Sequence, residues 1–221
     1  MNRFFTPFVG LKYNEGICGK KTLVIGASFY CNKTDCKFFG ECTNPVNKDS
    51  SKFDKECLYP ETDEKQLRYY PKAAIEQKYR AYQNFAKFIQ TFSGQEDYYT
   101  TWNRMAYTNY LQFFSPTIQT RKEYLSNRDF EALKETIVEL KPNVVIVWGV
   151  VTIQEIRDNE ILNPYIYDRD KLKETEYYVC HMRIPKVGHE IALINCYHPS
   201  SPIWYSDLEK LTKYTKQVLE N

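Results

Sequence analysis

Three short apolar runs set the framework of the chain. Residues 22–25 (Thr-Leu-Val-Ile), 144–148 (Val-Val-Ile-Val-Trp) and 191–196 (Ile-Ala-Leu-Ile-Asn-Cys) are nearly free of polar positions, and Gly, Pro or polar residues bound each one. Because they show no period-two alternation, both faces of each run are expected to be buried, as in the centre of a parallel sheet. Between them the apolar positions shift to helical spacing. Ala74, Ala81, Tyr82, Phe85, Phe88 and Ile89 make one stripe, with Lys78 at its edge. Phe130, Leu133, Ile137 and Leu140 make another, which Lys141-Pro142 ends because the residue before a proline is driven out of the helical region. Ser206-Asp207-Leu208-Glu209 spells a capping box and predicts a last helix that turns Leu208, Leu211 and Val218 inward. Strands alternating with helices predict an α/β protein, a three-layer α/β/α sandwich on a mostly parallel central sheet. A length of 221 residues suits a single domain over 1–221.

Residues 32–68 break the pattern. They are polar, rich in Lys, Asp and Cys, and lack any period. A loop this long in a compact domain is usually functional or held by something. Cys31, Cys36, Cys42 and Cys57, spaced C-x4-C-x5-C-x14-C, predict a Cys-rich insertion at about 31–68 that holds a structural zinc ion or an iron–sulfur cluster. The spacing lacks the C-x2-C knuckle of common zinc folds, so ordinary reduced thiols remain the alternative. Cys18 is a replacement ligand, whereas Cys180 and Cys196 read as core.

Composition narrows the class. With 43% hydrophobic and 26% charged residues the chain is globular rather than disordered. A net charge of +2 supplies no global field toward nucleic acid or membrane, although the Lys20-Lys21 pair offers a local phosphate contact. No run is long enough for a membrane span, and residues 1–10 lack the pattern of a signal peptide. Seven cysteines, an odd number, fit a reducing compartment, so a cytoplasmic location is expected. The 19 Tyr and 13 Phe can fill a core and can equally form platforms for bases.

In an open parallel sheet, ligands bind beyond the carboxyl ends of the strands. Three features fall at such places. Gly26-Ala27-Ser28-Phe29-Tyr30 follows the first run; its glycine allows close backbone approach, while Ser28 and Tyr30 bring a hydroxyl and an aromatic wall. Asn109 lies within the segment 105–111, and its amide can read a pyrimidine edge carrying both O4 and N3–H. His198-Pro199-Ser200-Ser201-Pro202 follows the last run, where a histidine can donate to an oxygen that gains charge as a base departs.

Taken in order, these segments resemble the uracil-DNA glycosylase superfamily. Its members carry a Gly-x-Asp-Pro-Tyr or Gly-x-x-Pro-Gly type motif after the first strand, an apolar segment ending in Asn, and a His-Pro-Ser-Pro type motif after the last strand. The segment 141–149, Lys-Pro-Asn-Val-Val-Ile-Val-Trp-Gly, is similar to the family's third core strand, and the resemblance spans roughly residues 5–220. It implies a uracil-DNA glycosylase-like sandwich that acts as a monomer on single- or double-stranded DNA. The implied reaction is hydrolysis of the N-glycosidic bond of a flipped uracil or other deaminated base, in base-excision repair, with no cofactor required for the chemistry. Carried over, Ser28 positions water and His198 stabilises the departing base. Gly26, Tyr30, Asn109 and an aromatic from the following loop, Phe39 or Phe53, surround the base. Ser200, Ser201, Pro202, Ile203 and Trp204 meet the DNA, the last three where the family inserts an apolar wedge. The sequence departs from the family at Ser28, where the most active members have a carboxylate; a hydroxyl orients water but is a far weaker base.

Two other readings compete. The same pocket can bind nucleic acid or a free nucleobase without cutting, which Ser28 favours. Gly26-Ala27-Ser28-Phe29 also spells half of a nucleophile elbow, so Ser28 with His198 could form a serine hydrolase, although Tyr30 stands where the second elbow glycine belongs.

Overall fold

The computed structural model describes residues 3–31, 34–53, 71, 75–76, 78–94, 97–115, 121–167 and 179–220. Nine strands are described: β1 (Phe8–Val9), β2 (Thr22–Gly26), β3 (Phe29–Tyr30), β4 (Met105–Asn109), β5 (Phe114–Ser115), β6 (Val144–Trp148), β7 (Ile166–Tyr167), β8 (Val179–Met182) and β9 (Ile191–Cys196). Seven of them form one mixed sheet in the order β1-β4-β2-β6-β9-β8-β7, and β3 pairs with β5 in a small second sheet. The four central strands, β4, β2, β6 and β9, are mutually parallel; β1, β8 and β7 join antiparallel at the two sides. The three apolar runs become β2, β6 and β9, and every residue of each is buried.

Helices α1 (Arg80–Ser93), α2 (Tyr98–Trp102), α3 (Asn127–Leu140), α4 (Val150–Asp158), α5 (Pro202–Ser206) and α6 (Leu208–Glu220) cover both faces. Alternate strand residues feed two cores. Val24, Ile146 and Ile194 pack with Phe85 and Ile89 of α1, Trp204 of α5 and Leu211 of α6. Leu23, Ile25, Val145, Val147 and Leu193 pack with Phe130, Leu133 and Ile137 of α3 and Ile153 and Ile156 of α4. This two-sided arrangement follows from connectivity. The chain leaves β2 toward β4 on one side and leaves β6 toward β9 on the other, and right-handed crossovers in opposite directions put their helices on opposite faces. A crevice therefore opens between the carboxyl ends of β2 and β6.

Helix termini follow local chemistry. Ser126 and Asp129 form a reciprocal capping box at the start of α3, and Lys141, at φ +47°, closes it before Pro142. The box expected at Ser206 is not made. Its hydroxyl instead donates back to the carbonyl of Ile203 at 2.8 Å, inside α5, and α6 begins two residues later. Leu211 is buried in the core, with Leu208 and Val218 half-buried against it. Ala74 lies outside the described residues, and Lys78 precedes α1 in a left-handed turn at φ +58°.

The described part of the polar segment has an apolar anchor. Phe53 is buried in the core and meets Phe38 edge-to-face at 5.6 Å. Arg128 donates to the Ser50 carbonyl at 3.0 Å and Lys48 to that of Glu123 at 2.6 Å. Among the described residues, no helix is long and apolar enough to cross a membrane.

Candidate functional site

Four strand ends converge on one cleft of about 650 Å³. Gly26 and Ser28 reach it from β2, Tyr107 and Asn109 from β4, Trp148 and Gly149 from β6, and His198 and Ser200 from beyond β9. Tyr79, Arg80 and Tyr82 close it from the start of α1. Parallel pairing aligns the first two ends, with Gly26 opposite Asn109, and two further backbone bonds, Tyr110 N to Gly26 O at 2.8 Å and Leu111 N to Ala27 O at 3.0 Å, carry the register past the strands. Ser28 is thus held beside the Asn109 turn.

Asn109 is buried, and its Oδ1 accepts the Tyr107 hydroxyl at 2.7 Å. Its Nδ2 has no hydrogen-bond partner among the described residues; the same is true of Ser28 Oγ and Trp148 Nε1. The turn below is pinned by Gln112. Its Nε2 donates to the carbonyls of Asn109 and Tyr110, and its Oε1 accepts from Phe4 N and Phe5 N. The Gln112 backbone N–H donates to buried Asp129, whose carboxyl is pushed up to about 7, chiefly by desolvation.

His198 keeps solvent contact but packs its ring edge-on to Trp148 at 5.7 Å. That partial burial lowers its pKa below the ordinary histidine value. Nδ1 lies 2.7 Å from Ser200 Oγ and 3.3 Å from the Ser200 backbone N–H, which donates to it when the ring proton is on Nε2. In that tautomer Nε2 is a neutral donor. Ser28 Oγ makes no bond to it, and Ser200 holds Nδ1 where a catalytic triad would need a carboxylate.

The remaining expected residues scatter. Phe39 is exposed and Phe53 is buried with Phe38 and Phe4 in the core; neither lines the cleft. Both sit in the described part of the polar segment, where Phe53 is anchored on the core beside Phe38. The aromatic lining comes instead from Phe29, Tyr79, Tyr82, Tyr107 and Trp148. The backbone of Tyr30 continues into β3, and its side chain lies outside the described residues. Trp204 is buried at 3% exposure against Phe85 and Phe88, so it serves the core rather than a wedge. Ile203 and Tyr205 are exposed on α5, Pro202 with them, and Ser201 caps that helix by accepting from Ile203 N. Asn84 of α1 ties this segment down by donating to Pro199 O and Tyr205 Oη, each at 2.7 Å. Lys20 and Lys21 precede β2 and so lie at the opposite end of the sheet from the cleft.

Cys31, Cys36 and Cys42 are half-buried, and Cys57 lies outside the described residues. Among the described residues no group of three or more His, Cys, Asp or Glu side chains is placed to hold a metal ion. Cys18 is exposed; Cys180 and Cys196 are buried in the cores.

Two cleft residues were legible in the sequence without being singled out. Tyr107 lies two residues before Asn109, hence on the same face of the strand, and Trp148 closes an apolar run of the kind whose ends carry ligands. Tyr79 and Arg80 come from a distant helix start, and nothing local marks them. Compared with protein-family models and with curated proteins, the chain matches none.

Proposed function

We propose that the protein is a DNA glycosylase on a uracil-DNA glycosylase-like fold. It binds DNA, takes a flipped uracil or other deaminated base into the cleft, and hydrolyses its N-glycosidic bond. The observation that carries this reading is the meeting of Ser28, Asn109 and His198, from three separate strand ends, in one cleft. Water adds to the anomeric carbon as the carbon–nitrogen bond breaks. The electron pair leaves on the base, and the water proton passes to solvent. His198, with its ring proton on Nε2, donates to the base oxygen that gains the charge. Ser28, whose hydroxyl has no partner among the described residues, orients the water. Arg80 at the rim is placed for a backbone phosphate, and exposed Ile203 for the gap left by the flipped nucleotide.

One observation favours a second reading, a nucleic-acid or nucleobase reader without catalysis. Among the described residues no Asp or Glu lines the cleft, so none of them there supplies a strong base or supports an oxocarbenium-like sugar. The test incubates the protein with single- and double-stranded oligonucleotides containing uracil, hypoxanthine or xanthine, followed by alkaline cleavage at abasic sites. Breaks that vanish with His198→Ala establish the glycosylase. Binding without breaks leaves the reader.

A further inference from the structure

We infer that the cleft reads an acceptor-only base edge, the O6 and N7 pair of a 6-oxopurine, in preference to the mixed edge of uracil, and that Tyr107 is the positioning residue that sets this choice. The inference deepens the nucleobase reading above and rests on it.

A primary amide has a donor end and an acceptor end, and the end that faces the ligand decides what is read. At Asn109 one of the two acceptor positions of Oδ1 is taken, by the Tyr107 hydroxyl at 2.7 Å. The phenol cannot readily swing away. Its ring is buried between Tyr82 at 5.3 Å, Trp102 at 5.9 Å and Trp148 at 5.7 Å. The neighbouring backbone is shaped to the pair, because a Cβ on Gly26 would stand 2.2 Å from Tyr107 Oη and 2.5 Å from Asn109 Oδ1. Wholly unmet is Nδ2, a donor on a side chain 1% exposed, without a partner among the described residues.

A second buried group repeats the sign. Trp148 lines the same cleft at 1% exposure, and its Nε1, which can only donate, is likewise unpartnered. His198 contributes a third donor when its ring proton is on Nε2, and among the described residues no carboxylate lines the cleft to offset them. Buried donors left unmade are costly, so the preferred occupant is one that supplies acceptors. Uracil presents N3–H between its two carbonyls, and that hydrogen would meet the Nδ2 hydrogens. The O6 and N7 atoms of hypoxanthine or xanthine form an edge of acceptors alone. About 650 Å³ admits a two-ring base.

Calorimetric titration of the intact protein with 9-methylhypoxanthine and 1-methyluracil, whose glycosidic nitrogens are blocked as in a nucleotide, tests this directly. The purine is expected to bind about tenfold more tightly or better. Tyr107→Phe keeps the ring and removes the hydroxyl, which frees the amide to turn. The preference should then shrink or reverse while the melting temperature shows that the fold persists. Tighter binding of 1-methyluracil by the parent, equal binding of both, or an unchanged ratio in Tyr107→Phe overturns the inference and leaves the nucleobase pocket standing. If neither analogue binds and no oligonucleotide is cut, the pocket reading itself fails and takes this inference with it.

Discussion

The Tyr107 hydroxyl and the Asn109 amide, 2.7 Å apart, occupy the space that a side chain at position 26 would need. Gly26 lies at the end of β2 without a positive φ, so its role is one of space rather than backbone freedom. Gly26→Ala is expected to cost ~1–3 kcal/mol through overpacking, and to weaken ligand binding more than the stability loss explains. Urea denaturation beside a binding titration measures both. An unaltered denaturation midpoint would mean that the pair yields easily.

His198 titrates below the ordinary histidine value because its ring is partly desolvated against Trp148. Its folded pKa is depressed, so the unfolded chain binds the proton more readily. The stability this group contributes is full above the unfolded value and falls as pH drops toward the folded one. NMR titration should place its midpoint under 6.5. Ser200→Ala, which removes one of the two groups on Nδ1, should lower any excision rate less than His198→Ala does.

Asp129 has the opposite sign. Burial lifts its carboxyl to about 7 against the bonds from Gln112 N and Ser126 that favour the charged form. The folded state therefore holds the proton more tightly, and the stability this contributes is lost as pH rises from about 4 through 7. Asp129→Asn should flatten that slope in pH-dependent denaturation. Asp129→Ala, which leaves the buried Gln112 N–H unpaired, is expected to cost at least ~2 kcal/mol.

Neighbours on α5 should separate core from contact surface. Trp204→Ala empties a site packed by Phe85 and Phe88, with an expected loss of ~3–5 kcal/mol. Ile203→Ala, at an exposed position, should change stability by less than ~0.5 kcal/mol yet weaken duplex binding. Equal binding by the Ile203 variant would remove α5 from the DNA surface.

For the cysteine segment, a structural metal rests on thiol chemistry alone, and it predicts about one zinc ion or one iron–sulfur cluster per chain in protein purified under reducing, oxygen-free conditions. Cys36→Ala should release it. Metal-free protein of full stability would leave Phe53 and the contacts of Arg128 and Lys48 as the source of order there.

Three of the central strands, β2, β6 and β9, were legible from the apolar runs of the sequence. Runs such as Val144–Trp148 and Ile191–Cys196 are too apolar to meet water on either side, and only a covered sheet accommodates them. The strand-end rule then located Ser28, Asn109 and His198, because chain direction and sheet type decide where loops meet. Other features depended on partners distant in sequence. Trp204 and Ile203 are adjacent and both apolar, and helical rotation against Phe85 alone assigns one to the core and the other to solvent. The Ser206 capping box spelled a local preference, and the turn of α5 used the same hydroxyl first. Most consequential is the Asn109 amide. Residue type supplied a donor and an acceptor, but which of them remains for a ligand was decided by Tyr107, held in place by aromatic rings drawn from α1, α2 and β6. Sequence sets the chemistry available at a position, whereas the tertiary neighbours set which part of it is already engaged.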